Sequence, residues 1–181
     1  MSNAAPEART LALLVDNEPG VLARVVGMFS ARGYNIESLT VAETDRDAHT
    51  SRITIVTRGD PHTIEQIKAQ IERIVSTRRV IDVTRDPGGV LREMALVKVA
   101  GVGADRVESM RVADIFRAKV IDTTLESLIF EVTGASEKID AFIDLMRPLG
   151  LVELSRTGVL SIHRGRETDL HLDPASAPPQ R

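Results

Sequence analysis

The sequence predicts an α+β protein made of two tandem βαββαβ units of the ferredoxin-like type. In residues 10–85, short β-rich runs alternate with two apolar helical stripes. The same element order returns in residues 92–165. Between them stands a segment with one proline and two glycines, Asp86–Gly89. Because proline and glycine do not extend regular elements, residues 86–91 are predicted to be a linker between two domains.

The first unit begins with the apolar run Leu11–Val15, which is typical of a strand buried on both faces. Gly33 follows an apolar helical stripe, where a left-handed helix end is expected. Asp60 is placed to cap a second helix that has Pro61 at its first position. The predicted elements are a strand at 11–15, a helix from Val21, strands at 36–42 and 53–57, a helix from Pro61 and a strand at 80–83.

The second unit repeats this order, and Arg32–Ile36 aligns with Arg117–Ile121, which indicates an internal duplication. Val107, Met110 and Phe116 mark its first helix by their spacing. Ser136 is the predicted cap of its second helix. The predicted elements are a strand at 94–99, a helix, strands at 120–121 and 128–132, a helix from Ser136, and strands at 151–154 and 159–162.

Composition excludes several classes of function. The 181 residues include 23 Lys and Arg against 26 Asp and Glu, a net charge of −3 that argues against nucleic acid as a partner. No apolar run reaches the length of a membrane span, and Met1–Arg9 lacks a secretory pattern. With no cysteine, thiol catalysis and thiolate metal sites are excluded. We expect a soluble cytoplasmic protein with disordered ends at 1–9 and 166–181, and a homodimer because such small units often pair.

No catalytic constellation is visible in the chain. The histidines at 49, 62, 163 and 171 are isolated from one another, and none has metal-ligand spacing. Gly101-Val-Gly103 lacks the third glycine of a dinucleotide loop, because Arg106 stands in its place. We therefore expect neither a metal site nor catalysis in this chain.

Two loops of the first unit are candidates for ligand binding. Asn17–Gly20 precedes a helix N-terminus, where unpaired backbone N–H groups and the helix dipole favour a carboxylate. Gly20 permits close approach to the backbone, and Asn17 offers both a donor and an acceptor. Asn35 follows the same helix. The alternative interpretation is local: Asn17 or Asp16 caps the helix, and Asn35 serves its own turn.

The chain resembles a known family in several stretches. The most specific is Arg32–Ala42, because a bare ferredoxin-like fold does not demand those residues in that order. Together the stretches resemble the regulatory (small) subunits of acetolactate synthase, also called acetohydroxyacid synthase, over about residues 10–165. The stretches are Asn17–Arg24, Arg32–Ala42, Ser51–Ile55, Arg92–Lys98, Ile115–Arg117 and Gly158-Val159.

This resemblance implies an effector-binding ACT domain at 10–85 and a second, ACT-like domain at 92–165. It implies a chain without catalysis or a cofactor of its own that activates a catalytic large subunit. That subunit is expected to carry thiamine diphosphate, Mg and FAD. It also implies feedback inhibition by valine, or another branched-chain amino acid, held between two ACT domains. Carried over to this chain, one domain supplies Asn17, Gly20, Val21 and Leu22 and the other supplies Asn35 and Ile36.

The second unit keeps the element order without these residue types. Val120 stands where the first unit has Asn35, and Gly101–Asp105 stands where it has Asn17–Gly20. Effector binding is therefore predicted in the first unit alone. Position 23 is Ala where some relatives have Ser, which removes any hydroxyl contact there.

Two other functions compete with this interpretation. A stand-alone ACT-domain sensor regulating another enzyme or a transcription factor predicts ligand binding without stimulation of acetolactate formation. An RNA-binding ferredoxin-like module needs exposed aromatic residues and a basic sheet. The run Ile53–Thr57 and the acidic charge balance oppose that reading.

Overall fold

The computed structural model describes residues 6–85 and 87–164. They divide into two compact units, of which the first runs to Val90 and takes up the chain again from Ser161. The second unit is Leu91–Leu160. The expected disorder of residues 1–5 and of the tail at 166–181 lies outside the described residues.

The first unit is a four-stranded antiparallel sheet with strand order β2-β3-β1-β4. A short 3₁₀ turn, Val83–Arg85, follows its last strand. The elements are β1 (Glu7–Asp16), α1 (Val21–Ala31), β2 (Ser38–Asp45), β3 (Thr50–Gly59), α2 (Pro61–Glu72) and β4 (Thr77–Asp82).

Its core lies between the sheet and the two helices. Leu11–Val15 are all at most 8% exposed, which confirms the predicted strand buried on both faces. Apolar side chains of both helices complete the same cluster, including Phe29 and Ile67. The cap of α2 is also confirmed, since Asp60 accepts a 2.9 Å hydrogen bond from the Thr63 amide and Pro61 is the first helical residue.

The first strand is longer than the sequence predicts. β1 starts at Glu7, so residues 7–9 of the expected disordered end form part of the sheet. The reason is the length of β3, whose register pairs Glu7 with Gly59 and extends the ladder beyond the apolar run. The hydrophobic pattern marks only the buried part of such a strand.

The second unit has the matching strand order, β6-β7-β5-β8. The shared order confirms the predicted duplication of a βαββαβ unit. The elements are β5 (Gly89–Val99), α3 (Gly103–Phe116), β6 (Lys119–Thr123), β7 (Leu128–Gly134), α4 (Ser136–Met146) and β8 (Leu151–Arg156). The last strand, β9 (Leu160–His163), begins where the chain returns to the first unit, and it pairs with β5.

The predicted linker is partly a strand. β5 begins at Gly89, so the last residues of the segment 86–91 belong to the sheet. The pairing of β9 with β5 explains this, and the Arg164 amide donates to the Gly88 carbonyl at 2.9 Å beside it. Residues distant in sequence, in β9 and at Arg164, therefore supply hydrogen bonds that the composition of this segment does not predict.

The helix predicted from Val107, Met110 and Phe116 is confirmed as α3, but other residues form most of its buried face. Val107 is 69% exposed and Met110 is 46% exposed, whereas the buried residues are Ser109, Val112 and Ala113. Small side chains such as these allow a helix to pack closely against its neighbours. The buried Ser109 hydroxyl has a hydrogen-bond partner, because it donates to the Arg106 carbonyl at 2.8 Å. Phe116 does pack against the core cluster, half-buried.

The buried carboxylate of Glu93 binds the N-terminal end of α4. The prediction that Ser136 caps this helix is wrong. The N-cap is Ala135, and the Ser136 hydroxyl instead donates to Glu93 Oε2 at 3.0 Å. Arg156 donates to both oxygens of Glu93, from Nε at 2.6 Å and from a terminal nitrogen at 2.7 Å. Its remaining nitrogen reaches Asp140 at 2.6 Å. The bonds to Glu93 raise the pKa of Arg156 above its ordinary value.

Replacing Arg156 by leucine leaves Glu93 buried without its cation. We expect Arg156→Leu to lower the free energy of unfolding by about 3 kcal/mol in urea titrations at neutral pH. The double variant Glu93→Leu/Arg156→Leu should be less destabilised than this single one. As a control, Arg147→Leu removes an exposed ion pair with Asp144 and should cost under about 1 kcal/mol. Equal losses from Arg156→Leu and Arg147→Leu would contradict the assignment.

The Asp60 cap predicts a pH dependence of stability. Hydrogen bonds from the Thr63 amide and the Thr63 hydroxyl lower the pKa of Asp60. Because folding lowers this pKa, the cap contributes fully above the unfolded-state value and loses its contribution as pH falls through the folded-state value. Asparagine caps comparably without titrating. Near pH 7, Asp60→Asn should have the same free energy of unfolding as the parent, measured by chemical unfolding. Between about pH 5 and pH 3 it should lose less of that free energy than the parent does. If the two proteins lose stability in parallel as the pH falls, the Asp60 cap does not contribute as proposed.

Candidate functional site

The corner between β1 and α1 leaves the start of the helix open. Gly20 is the N-cap with φ +85°, and no side chain caps the helix. The Val21 amide donates to the Glu18 carbonyl at 3.3 Å. Within residues 6–85 and 87–164, the amides of Leu22 and Ala23 have no acceptor. The local alternative, a cap by Asn17 or Asp16, is therefore wrong, and two N–H groups at the positive end of α1 face outward.

The side chains that might have capped α1 are bound elsewhere. Asp16 Oδ1 accepts from Arg78 Nε at 2.6 Å. Asn17 Nδ2 donates to Glu43 Oε1 at 3.0 Å, and the Asn17 amide donates to the His49 carbonyl at 2.7 Å. The end of β2, the turn after it and the start of β4 thus hold the corner in place.

Glu18 is also kept from the helix amides. Its Oε2 accepts from the hydroxyl of the buried Ser76 at 3.1 Å and lies 3.6 Å from a terminal nitrogen of Arg24. The carboxylate nearest to α1 in sequence is thereby paired with other groups. The open amides keep their attraction for an external anion.

Gly20 faces free space. A Cβ built on this residue meets no atom within 4 Å, and its positive φ is one that L side chains rarely adopt. Leu22 is 38% exposed beside it, while Val21 lies in the core of the unit. Of the predicted residues at this corner, Asn17, Gly20 and Leu22 present accessible surface, and Val21 supplies packing and backbone.

The second predicted corner lies at the other end of α1. Gly33, with φ +67°, ends the helix as predicted. The Asn35 carbonyl accepts from the Thr57 hydroxyl at 2.6 Å, while the residue itself is exposed. Ile36 is half-buried and packs against the core of the unit. Asn35 therefore has a fixed backbone and an accessible side chain.

One chain does not bring the two corners together. They stand at opposite ends of α1, whose 11 residues at about 1.5 Å each span about 16 Å. A single small amino acid does not bridge that length. The predicted residues can meet around one ligand only if two copies of the unit contribute opposite ends.

The residues that position Asn17 are not apparent in the sequence pattern. Glu43, His49 and Arg78 lie far from the loop along the chain and reach it through the strand order of the sheet. Across the described ranges 6–85 and 87–164, no three His, Cys, Asp or Glu residues are grouped as a metal site. In those same ranges no helix has the length and apolar character needed to cross a membrane.

Comparison with known proteins assigns both units to one family. Residues 11–79 match the model of the AHAS small subunit-like ACT domain, and residues 92–165 match that of the small subunit of acetolactate synthase. A probable acetolactate synthase small subunit of Archaeoglobus fulgidus is 46% identical over 158 residues, 87% of this chain and 98% of the relative. The chain belongs to the acetolactate synthase small-subunit family.

Further members of the small-subunit family agree with this. The acetolactate synthase small subunit of Haemophilus influenzae is 42% identical over 90% of this chain and 99% of its own length. The crystal structure of the Thermotoga maritima acetolactate synthase small subunit matches with a TM-score of 0.80 at 38% identity. It covers 89% of this chain and 99% of that one. The predicted α+β architecture with an N-terminal ACT domain is thus confirmed.

Proposed function

We propose that this chain is the regulatory subunit of acetolactate synthase. It binds the thiamine-diphosphate-dependent catalytic subunit, raises its activity and makes it sensitive to valine or another branched-chain amino acid. Family membership across both units supports the first part. The observation that carries the second part is the open N-terminus of α1, with two backbone donors left for an anion.

The chemistry of the corner suits the carboxylate of an amino acid. The Leu22 and Ala23 amides point out of the positive end of α1, and the open space at Gly20 admits a ligand to them. Leu22 offers exposed apolar surface for a branched side chain. Charge-assisted hydrogen bonds of this kind are stronger than neutral ones.

The second unit differs in the charge at the start of its first helix. α3 also begins without a side-chain cap, but its first turn carries its own carboxylate, Asp105, whereas the first turn of α1 has no acidic residue. A resident anion competes with an external one for the same dipole. This difference supports effector binding in the first unit alone.

The edge of the first sheet supports a site shared between two copies. β2 is an edge strand, which leaves one row of its backbone groups available for pairing. Antiparallel pairing of β2 with its copy about a twofold axis brings the start of one strand, next to Asn35, beside the end of the other. That end carries Glu43, which is bonded to Asn17. We therefore propose a homodimer with two effector sites, each built from opposite corners of two protomers.

Regulation follows from a ligand that bridges two protomers. Valine binds across the dimer, changes its geometry or stiffness, and so alters how the assembly holds the catalytic subunit. A coupling of about 1–3 kcal/mol corresponds to about 5–150-fold in affinity. By linkage, binding of the catalytic subunit changes valine affinity by the same factor.

The proposal is tested by adding the full chain to a purified catalytic subunit and assaying acetolactate formation with and without valine. We expect stimulation by the chain and inhibition of the stimulated rate by valine. Valine binding without any stimulation would instead favour a stand-alone amino-acid sensor. A chain that neither stimulates nor binds valine would refute the proposed function.

Substitution of Gly20 by aspartate tests the location of the effector. Gly20→Asp places a side chain and a negative charge where the effector carboxylate is proposed to lie. We expect stimulation of the catalytic subunit to persist and inhibition by valine to be lost, measured as the valine concentration for half inhibition.

The matched control is Gly103→Asp. Gly103 also has a positive φ and open space at its Cβ position, and it starts the corresponding helix of the second unit. This variant carries the same backbone strain and charge and should remain inhibited by valine. Normal inhibition of Gly20→Asp would remove the basis for placing the effector at α1, and resistance in both variants would show that strain alone causes it.

A further inference from the structure

The hydrogen bond between the side chains of Asn17 and Glu43 fixes the orientation of the Asn17 side-chain amide. A carboxylate only accepts hydrogen bonds, so the group that Asn17 presents to Glu43 at 3.0 Å must be its NH₂. The amide oxygen then lies on the opposite side from Glu43. Within residues 6–85 and 87–164, this oxygen has no hydrogen-bond donor. Asn17 is therefore set to act as an acceptor.

Glu43 has a second, weaker contact. Its Oε2 lies 3.6 Å from Nε of Arg46, whose side chain is 91% exposed, and surface ion pairs of this kind contribute little. Because Glu43 stands on a paired strand, opposite Ser51 of β3, its backbone position is set by the sheet and not by the loop that carries Asn17. A strand residue thus orients a loop side chain.

An oriented acceptor distinguishes between close relatives of valine. An α-amino acid presents an ammonium group with three donors beside its carboxylate. The 2-oxo acid with the same carbon skeleton presents an oxygen that only accepts. We place the ligand carboxylate at the Leu22 and Ala23 amides. The side-chain oxygen of Asn17 then accepts a hydrogen bond from the ammonium group of the amino acid and repels the 2-oxo oxygen of the oxo acid.

We infer that Glu43 is a positioning residue that makes the site select α-amino acids over 2-oxo acids by locking the Asn17 oxygen toward the effector. The inference rests on the proposed function, since it assigns a role at that same site. The negative charge of the Glu43 carboxylate also attracts the ammonium group of the effector. Without Glu43, the Asn17 amide turns over freely and offers its NH₂ to an oxo group.

The test compares the full chain with Glu43→Gln by titration calorimetry, using L-valine and 3-methyl-2-oxobutanoate as ligands. Glutamine can donate as well as accept, so it removes both the lock and the charge while keeping the size of the side chain. We expect valine to bind about tenfold more weakly. The ratio of valine affinity to oxo-acid affinity should fall by at least the same factor.

Two control variants separate orientation from general effects. Glu65→Gln makes the same charge change on α2, where Glu65 pairs with Lys68 at 3.3 Å. Arg46→Ala removes the other partner of Glu43 and loosens the turn while leaving the bond to Asn17. Both variants should keep the valine affinity and selectivity of the parent chain.

The outcomes distinguish this inference from the proposed function. If the parent chain binds valine and Glu43→Gln has the same affinity and ratio, the inference is overturned and the proposed function stands. A Glu43→Gln variant that loses affinity for both ligands equally also overturns it, because that result indicates a structural role. If the parent chain binds neither valine nor another branched-chain amino acid, the effector part of the proposed function fails and the inference fails with it.

Discussion

The geometry of the first ACT domain depends on a helix that begins without a side-chain cap. A helix start has backbone donors that need an acceptor, and most proteins supply one from the preceding loop. Here Gly20 adopts a left-handed conformation and offers no side chain. The neighbouring Asp16 and Glu18 carboxylates are bound by Arg78 and by Ser76. Several strands of the sheet thus cooperate to leave one end of α1 chemically unsatisfied.

The two units share one fold but differ in their polar residues. Both units have the same strand order, and each buries an apolar cluster between sheet and helices. The second unit carries different polar residues, with Asp105 in the first turn of α3 and a buried Glu93 bound by Arg156. Because neither α1 nor α3 has a side-chain cap, the two helix starts differ in the acidic residue of the first turn. The fold is shared, and the difference lies in the charge beside the helix start.

The sequence is sufficient wherever structure is decided locally. Asp60 and Pro61 define the start of α2 because a cap involves residues only three apart. Buried positions of β1 follow from an apolar run. The face of α3 is missed because small residues are buried and Val107 is not, so size and packing override the apolar pattern.

The same distinction between local and long-range contacts applies to the candidate site. The loop at Asn17–Gly20 and the helix end at Asn35 are visible as turn residues flanking a helix. The contact between Asn17 and Glu43 is not visible, since it depends on β2 turning back beside the loop. Likewise the sequence favours Ser136 as the cap of α4, whereas the backbone dihedral angles place the N-cap at Ala135.

The separation of the two corners by the whole length of α1 makes protein concentration a variable of the response. In the proposed dimer neither protomer contains a complete pocket, so a chain diluted below its dimer dissociation constant loses effector recognition while its fold persists. By mass action the ligand in turn favours the paired state. In that proposed assembly, the concentration of the subunit as well as that of the amino acid determines how much effector is bound.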